Sequence, residues 1–226
     1  MNQKAKDIQN MFDAISPRYD MLNRVLSFRR DVGWRKKTVR RLKLADKAKV
    51  LDLACGTGDM ILTLQATQPS ADITGADFST QMLAQGRKKV NVPLVAADAC
   101  MLPFEDKSFD LITMVFGFRN VTDKPKALAE MRRVLKDGGR ICILEFSKPK
   151  SKIFSAFYWF YFKTILPLVG RLVSKHKDAY TYLPDSVENF PSEDEYRRMI
   201  LDAGFGEPAF KPYDFGICTA TTAAKS

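Results

Sequence analysis

The chain has 226 residues, 46% of them apolar, which is enough to bury the core of one domain with modest additions and excludes a largely disordered chain. Its four cysteines, Cys55, Cys100, Cys142 and Cys218, are too scattered for a metal-ligand set or a disulfide framework, and the charged N-terminus lacks the apolar core of a signal peptide; a reducing, cytoplasmic setting is therefore expected. The net charge of +10 is concentrated: residues 1–50 hold 14 Lys and Arg against 5 Asp, a net of +9. That basic segment suits an anionic membrane, nucleic acid or an acidic ligand, or is simply a solvated helix face.

Residues 2–45 read as helical. Ile8, Met11, Phe12 and Ile15 recur at helical spacing, Ser16-Pro17 interrupts, and a second run over 32–44 sets Trp34, Val39 and Leu42 among Lys and Arg. The pattern changes at Lys49. Lys49-Val50-Leu51-Asp52-Leu53-Ala54 reads as a buried strand, Cys55-Gly56-Thr57-Gly58-Asp59 as a loop, and 60–66 as a helix. Strand candidates follow at 72–77, 93–98, 109–115 and 140–146, with helices over 81–90 and 124–135. Gly138-Gly139 suits a left-handed helix stop. Strands alternating with helices imply an α/β fold: a mainly parallel sheet covered on both faces, with ligands at the carboxyl ends of its strands.

Residues 151–173 form an aromatic insert, with Phe154, Phe157, Tyr158, Trp159, Phe160, Tyr161 and Phe162 crowded together. Lys163, Pro167 and Arg171 argue against a membrane span and for a cap or interfacial helix. Residues 192–226 read as a helix followed by late strands.

The chemistry begins at the glycine loop. Gly56 and Gly58 leave room for a ligand against the backbone, yet Ile61 stands where a dinucleotide fingerprint needs a third glycine, and no Gly-Lys-Ser/Thr is present. The loop therefore suits a nucleoside without phosphates. Asp77, ending the second strand, is placed to accept from both ribose hydroxyls, and Asp98, followed by Ala99, from an exocyclic adenine amine. Taken singly, either aspartate could be an ordinary turn residue.

Over residues 48–147 this combination resembles the class I S-adenosylmethionine-dependent methyltransferases. The match sharpens through Phe12-Asp13-Ala14-Ile15-Ser16-Pro17-Arg18-Tyr19-Asp20-Met21-Leu22-Asn23, Leu102-Pro103-Phe104, Phe116-Gly117-Phe118-Arg119-Asn120-Val121-Thr122-Asp123, Leu144-Glu145-Phe146-Ser147-Lys148-Pro149 and Tyr180-Thr181-Tyr182-Leu183-Pro184-Asp185-Ser186-Val187. Across residues 8–217 the chain is similar to the demethylmenaquinone and 2-polyprenyl-6-methoxybenzoquinol methyltransferases, which methylate a ring carbon of a polyprenyl hydroquinone. It departs from them at Cys55 in the glycine loop, at Arg29-Arg30-Asp31-Val32-Gly33 and Gly216-Ile217-Cys218-Thr219-Ala220, which lack the usual histidines, and at Val115, where a Ser or Asn is common.

The resemblance implies a Rossmann-like fold with a seven-stranded sheet, an N-terminal helical capping segment over 1–45, and a methyltransferase domain over 46–226 with a helical insert at 151–185. It implies S-adenosylmethionine as methyl donor, no metal, and a cofactor set of Asp52, Gly56, Thr57, Gly58, Asp77, Phe78, Asp98, Ala99 and Val115. It also implies Arg119, Asn120 and Tyr19 as catalytic groups. A ring carbon becomes nucleophilic when the adjacent hydroxyl loses its proton, so Arg119 would stabilise a phenolate and Asn120 orient the hydroxyl or a water, while Tyr19 and Asp20 close over the substrate. An ordinary alternative for Arg119 is a salt bridge to Glu145 or Asp123. His176, between Lys175 and Lys177, reads as a wet surface residue.

The expected partner is a polyprenyl quinol, with peripheral contact to the inner face of an anionic membrane and a homodimer as further expectations. An RNA methyltransferase is a weaker reading because Phe116-Gly117-Phe118-Arg119-Asn120 replaces the Asn/Asp-Pro-Pro-Tyr/Phe motif of amino-directed enzymes; nucleic acid is not expected. A non-catalytic nucleoside-binding module would not need the intact loop, Asp77 and Asp98 together.

Overall fold

A computed structural model of the chain describes residues 3–149, 151, 155, 158–165 and 178–226. Seven strands run in chain order as β1 (Lys49–Leu53), β2 (Asp72–Asp77), β3 (Leu94–Ala96), β4 (Phe109–Val115), β5 (Leu135–Phe146), β6 (Ala209–Tyr213) and β7 (Cys218–Ala224). They form one sheet of order β3-β2-β1-β4-β5-β7-β6, parallel through β5 and antiparallel where β7 joins β5 and β6. The order reverses between β1 and β4. At such a switch point the loops leaving two neighbouring strands diverge, and the crevice between them opens to ligands.

The helices are α1 (Gln3–Ile15), α2 (Tyr19–Leu26), α3 (Arg30–Leu42), α4 (Asp59–Thr67), α5 (Thr80–Gly86), α6 (Lys124–Val134), α7 (Asp178–Glu188) and α8 (Glu193–Asp202). Two cores sandwich the sheet. Val39 and Leu42 of α3, Ile61 and Leu64 of α4 and Leu83 of α5 pack on one face. Leu128, Met131 and Val134 of α6, with Tyr196 and Ile200 of α8, pack on the other. Along β4 and β5 successive side chains alternate between the two: Leu111 and Cys142 go to the first core, Ile112, Ile141 and Ile143 to the second. Both faces being covered, the central strands are apolar throughout.

Part of the basic N-terminal charge falls on one stripe of α3. Trp34, Arg35, Thr38, Val39 and Leu42 are the buried face of α3, while Lys36, Lys37, Arg40 and Arg41 face solvent. Several details differ from the sequence expectation. The chain after Ser16-Pro17 forms a separate helix, α2, before α3 begins. Helix α6 stops at Val134, and Gly138 (φ +72°) lies not at its end but within a register shift of β5 against β4. A residue free to adopt positive φ lets the strand absorb the extra residues. The third strand shrinks to three residues, and Asp98 sits past it in a bridge to Met101. Of the aromatic insert, Tyr161–Ile165 forms one π-helical turn, while Phe154, Phe157 and His176 lie outside the described residues. No described helix is long and apolar enough to cross a membrane.

An ion cluster joins α2 and α3 to the start of α4. Asp31 accepts from Arg24, from Arg35 at 2.6 Å and from Ser27 Oγ at 2.8 Å. Asp59 accepts from Arg24 at 2.6 Å and Lys89 at 2.8 Å, and Arg35 lies 3.9 Å from it. Asp31 and Arg35 are both buried. A buried charge that loses its partner is costly, so Asp31→Ala should destabilise the fold by about 3–5 kcal/mol. Urea denaturation measures it, and a loss below about 1 kcal/mol, the range of a solvated surface pair, would show that the cluster carries little.

Candidate active site

Two cavities open at the carboxyl ends of β1, β2 and β4, and they share a wall made by Phe12, Tyr19 and Phe116. The strand ends are locally strained: Ala54 after β1 (φ +54°) and Phe116 after β4 (φ +57°) both hold left-handed conformations that favour glycine. A Cβ on Gly117 would lie 2.5 Å from the Cβ of Ala54, so only glycine admits this approach of the two strand ends.

The first cavity, of about 140 Å³, lies between the glycine loop and α1. Gly56, Asp77, Phe78, Asp98, Ala99, Val115 and Asn120 all line it. Gln9 and Phe12 of α1 form its roof, with Gln9 Nε2 donating to the Phe78 carbonyl at 3.1 Å. Asp77 accepts from Gly56 N–H at 2.7 Å and Ser79 N–H at 2.8 Å, which fixes the loop against the start of α5. Burial pushes its carboxyl up to about 6 despite those hydrogen bonds. Asp98 Oδ1 accepts from Cys100 N–H at 2.9 Å. The turn reading and the cavity reading thus hold together for both aspartates.

Three residues of the expected cofactor set stand behind the cavity instead of in it. Asp52 is a buried residue of β1, where Thr113 Oγ1 of β4 donates to it at 2.7 Å and its other oxygen has no partner; desolvation pushes it up to about 7. Thr57 Oγ1 donates to Asp20 at 2.5 Å, and Asp20 also receives Lys89 at 2.7 Å, so Asp20 holds the loop and lines neither cavity. Gly58 (φ +87°) opens α4, and a Cβ there would sit 3.1 Å from Val90. Among the described lining residues of the first cavity no Lys or Arg occurs, while two carboxylates do.

The second cavity is larger, about 310 Å³, and its walls are mainly aromatic. Phe116 stacks on Phe146 with ring centroids 4.6 Å apart, and Trp34 meets both edge-on. Arg119 enters this cavity, whereas its neighbour Asn120 lines the first. Arg119 Nη1 donates to Glu145 Oε1 at 2.8 Å, Nε donates to Ser186 Oγ at 3.2 Å, and Nη2 makes none of these bonds. The salt bridge to Glu145 weighed as an alternative therefore exists, and it holds the guanidinium at the cavity wall. Tyr19 borders both cavities; burial raises its hydroxyl above the usual phenol range, while nearby Asn23 and Arg119 oppose that rise. At neutral pH it is a neutral hydroxyl.

Sequence reasoning did not single out Gln9, Phe116, Phe146, Glu145 or Tyr182 as site residues. Glu145 carried a signal: it is a carboxylate inside an otherwise apolar strand, a position that demands a buried cation. Phe116, Phe146 and Tyr182 lie within the motifs that carry the resemblance, but only packing shows what each of them does.

Comparison with known proteins agrees over the whole chain. The model of the ubiE/COQ5 methyltransferase family matches residues 1–225. A Geotalea daltonii protein named ubiquinone/menaquinone biosynthesis C-methyltransferase UbiE is 46% identical, covering 100% of this chain and 99% of its own. A Thermus thermophilus protein named demethylmenaquinone methyltransferase is 46% identical over 86% of this chain and 91% of its own. Among solved structures, a Thermotoga maritima S-adenosylmethionine-dependent methyltransferase superposes with a TM-score of 0.69 at 22% identity, covering 96% of this chain and 99% of its own, which shows the shared fold.

Proposed function

The chain belongs to the ubiE/COQ5 methyltransferase family, and on that premise we propose that it moves a methyl group from S-adenosylmethionine to a ring carbon of a polyprenyl hydroquinone, demethylmenaquinol foremost. The observation that carries the reading is the pair of cavities meeting at Tyr19 and Phe116. The first suits the donor. Its carboxylates at two strand ends match ribose hydroxyls and an adenine amine, and the lack of lining cations suits a sulfonium better than a pyrophosphate. The second suits a flat aromatic acceptor, because stacked and edge-on rings line it and the Arg119 guanidinium enters it beside them.

Bound S-adenosylmethionine supplies a methyl group on a positively charged sulfur. The protein's task is to align the acceptor carbon, exclude water and favour the phenolate. Phe116, Phe146 and Trp34 hold the acceptor ring by stacking and edge contacts. Arg119, anchored through Nη1 and Nε, keeps Nη2 for the acceptor oxygen and lowers the pKa of that hydroxyl by its charge. Asn120 presents its amide to the same oxygen from the donor side. Tyr19, neutral, closes the wall between the cavities and shields the transfer from solvent.

The lipid tail needs an exit. Phe28 and Arg30 line the acceptor cavity, Phe28 is 74% exposed and packs near Tyr161, and Val25 and Phe160 are exposed nearby in sequence. The solvent-facing basic stripe of α3 follows directly. Apolar side chains beside basic ones suit peripheral contact with an anionic membrane at the cytoplasmic face, where the acceptor resides.

Incubating the protein with methyl-labelled donor and both quinol classes should give a product of demethylmenaquinol heavier by one labelled methyl group. Absence of label from every quinol would contradict the reading. Arg119→Gln with Glu145→Gln removes the ion pair without leaving a buried orphan charge. The double variant should bind donor normally and lose between about a hundredfold and a thousandfold in kcat, the loss typical of removing a transition-state donor. Full turnover would remove Arg119 from the mechanism. Finally, Asp77 must be ionised to accept both ribose protons. Since its carboxyl sits at about 6, donor affinity measured by calorimetry should weaken as pH falls through about 6. Asp77→Asn should flatten that dependence, and an equally steep fall in the variant would clear Asp77 of the role.

A further inference from the structure

The motif around Tyr182 and Ser186 finds no use in the mechanism so far. These two residues lie one helical turn apart on α7 and reach consecutive residues of the loop after β4. Tyr182 Oη donates to Asn120 Oδ1 at 2.9 Å, and Arg119 Nε donates to Ser186 Oγ at 3.2 Å. Ser186 gives its own proton to the Leu183 carbonyl at 2.8 Å, so its oxygen stays an acceptor for Arg119. Helix α7 therefore holds both members of the Arg119-Asn120 pair.

Tyr182 lines the acceptor cavity and Asn120 lines the donor cavity, so their hydrogen bond crosses the partition. An amide has one accepting and one donating end. With Oδ1 occupied by Tyr182, the Asn120 Nδ2 end is left with only a 3.5 Å contact to the Phe116 carbonyl. A contact of that length contributes little, and Nδ2 remains available to a ligand. A hydroxyl can pair with either end of an amide, but the Phe116 carbonyl only accepts and so disfavours an oxygen turned toward it; without the tyrosine hydroxyl the Oδ1 end loses its anchor and the amide is no longer held in this orientation.

We propose that Tyr182 is a positioning residue: its hydroxyl occupies the Asn120 oxygen and leaves the donating nitrogen free at the partition between the cavities, so that helix α7 sets the polarity of the site at the point of methyl transfer. This rests on the reading of the second cavity as the quinol site. Burial raises the Tyr182 phenol above its usual range, in keeping with a hydroxyl that stays protonated and donates. Since Tyr182 is half-buried and its ring packs irrespective of the hydroxyl, Tyr182→Phe isolates the hydrogen bond.

In Tyr182→Phe the donor affinity should stay within about twofold of the parent, while kcat falls between about tenfold and a hundredfold, the cost of a misplaced catalytic group. In an Asn120→Ala background the same change should add less than about twofold, because the two residues act as one unit. Parental kcat in Tyr182→Phe, or losses that multiply in the double variant, would overturn the proposal. A second readout needs no acceptor: in nitrogen-15 spectra the Asn120 side-chain amide resonances should shift in Tyr182→Phe, and unshifted resonances would equally overturn it. Failure of the parent protein to methylate any quinol, with shifted Asn120 resonances, would instead count against the assigned acceptor and leave the Tyr182–Asn120 coupling standing.

Discussion

Both cavities exist because the N-terminal helices are held over the strand ends by two carboxylates, Asp31 buried and Asp59 partly buried. Asp31 and Asp59 gather Arg24, Arg35 and Lys89 from α2, α3 and the turn after α5. Helix α1 then roofs the first cavity and α2 walls the second. Ser79 adds a hydroxyl bond to Asp13, and Thr57 one to Asp20, so the glycine loop is tied to this cover at several points. Lone charges at this depth would be unfavourable. Interlocked in a network they offset one another's charge, and they specify one placement of the cover.

The division of labour between the cavities follows from their charge. Carboxylates without cations face one, and an aromatic box entered by Arg119, with Arg30 and Asp31 also on its lining, forms the other. Arg119 is kept in place by Glu145, which also receives the Phe146 and Arg119 backbone N–H groups at 2.9 and 3.1 Å. The carboxylate thus orients the loop as well as the side chain. On the proposed function, the positively charged donor faces the carboxylates of the first cavity and the acceptor oxygen faces Arg119 in the second, on either side of the wall formed by Tyr19 and Phe116.

Much of this was legible in the sequence. The alternation of apolar runs with helical patterns predicts the parallel sheet, because strands covered on both faces have little choice of residue. Asp77 and Asp98 stood out because acidic residues ending successive strands have few structural reasons to recur. What was not legible is depth. Asp52, Thr57 and Gly58 lie within a few residues of Gly56 and share its motif, yet they brace the loop from behind, since the turn after β1 faces one side outward and the other toward α4. Likewise Arg119 and Asn120 are adjacent in sequence and point into different cavities. The Tyr19 wall depends on the ion cluster of α2 and α3, whose members are spread from residue 24 to residue 89 with no local pattern.

On the proposed function, the methyl group crosses at the junction of the two cavities. A structure of the protein with S-adenosylhomocysteine bound tests it most directly. The adenine is expected near Asp98 and Ala99, the ribose on Asp77, and the sulfur beside Tyr19 and Phe116, facing the aromatic cavity. A sulfur turned toward Ala5 and Gln9, with Tyr19 and Phe116 distant from it, would contradict the claim.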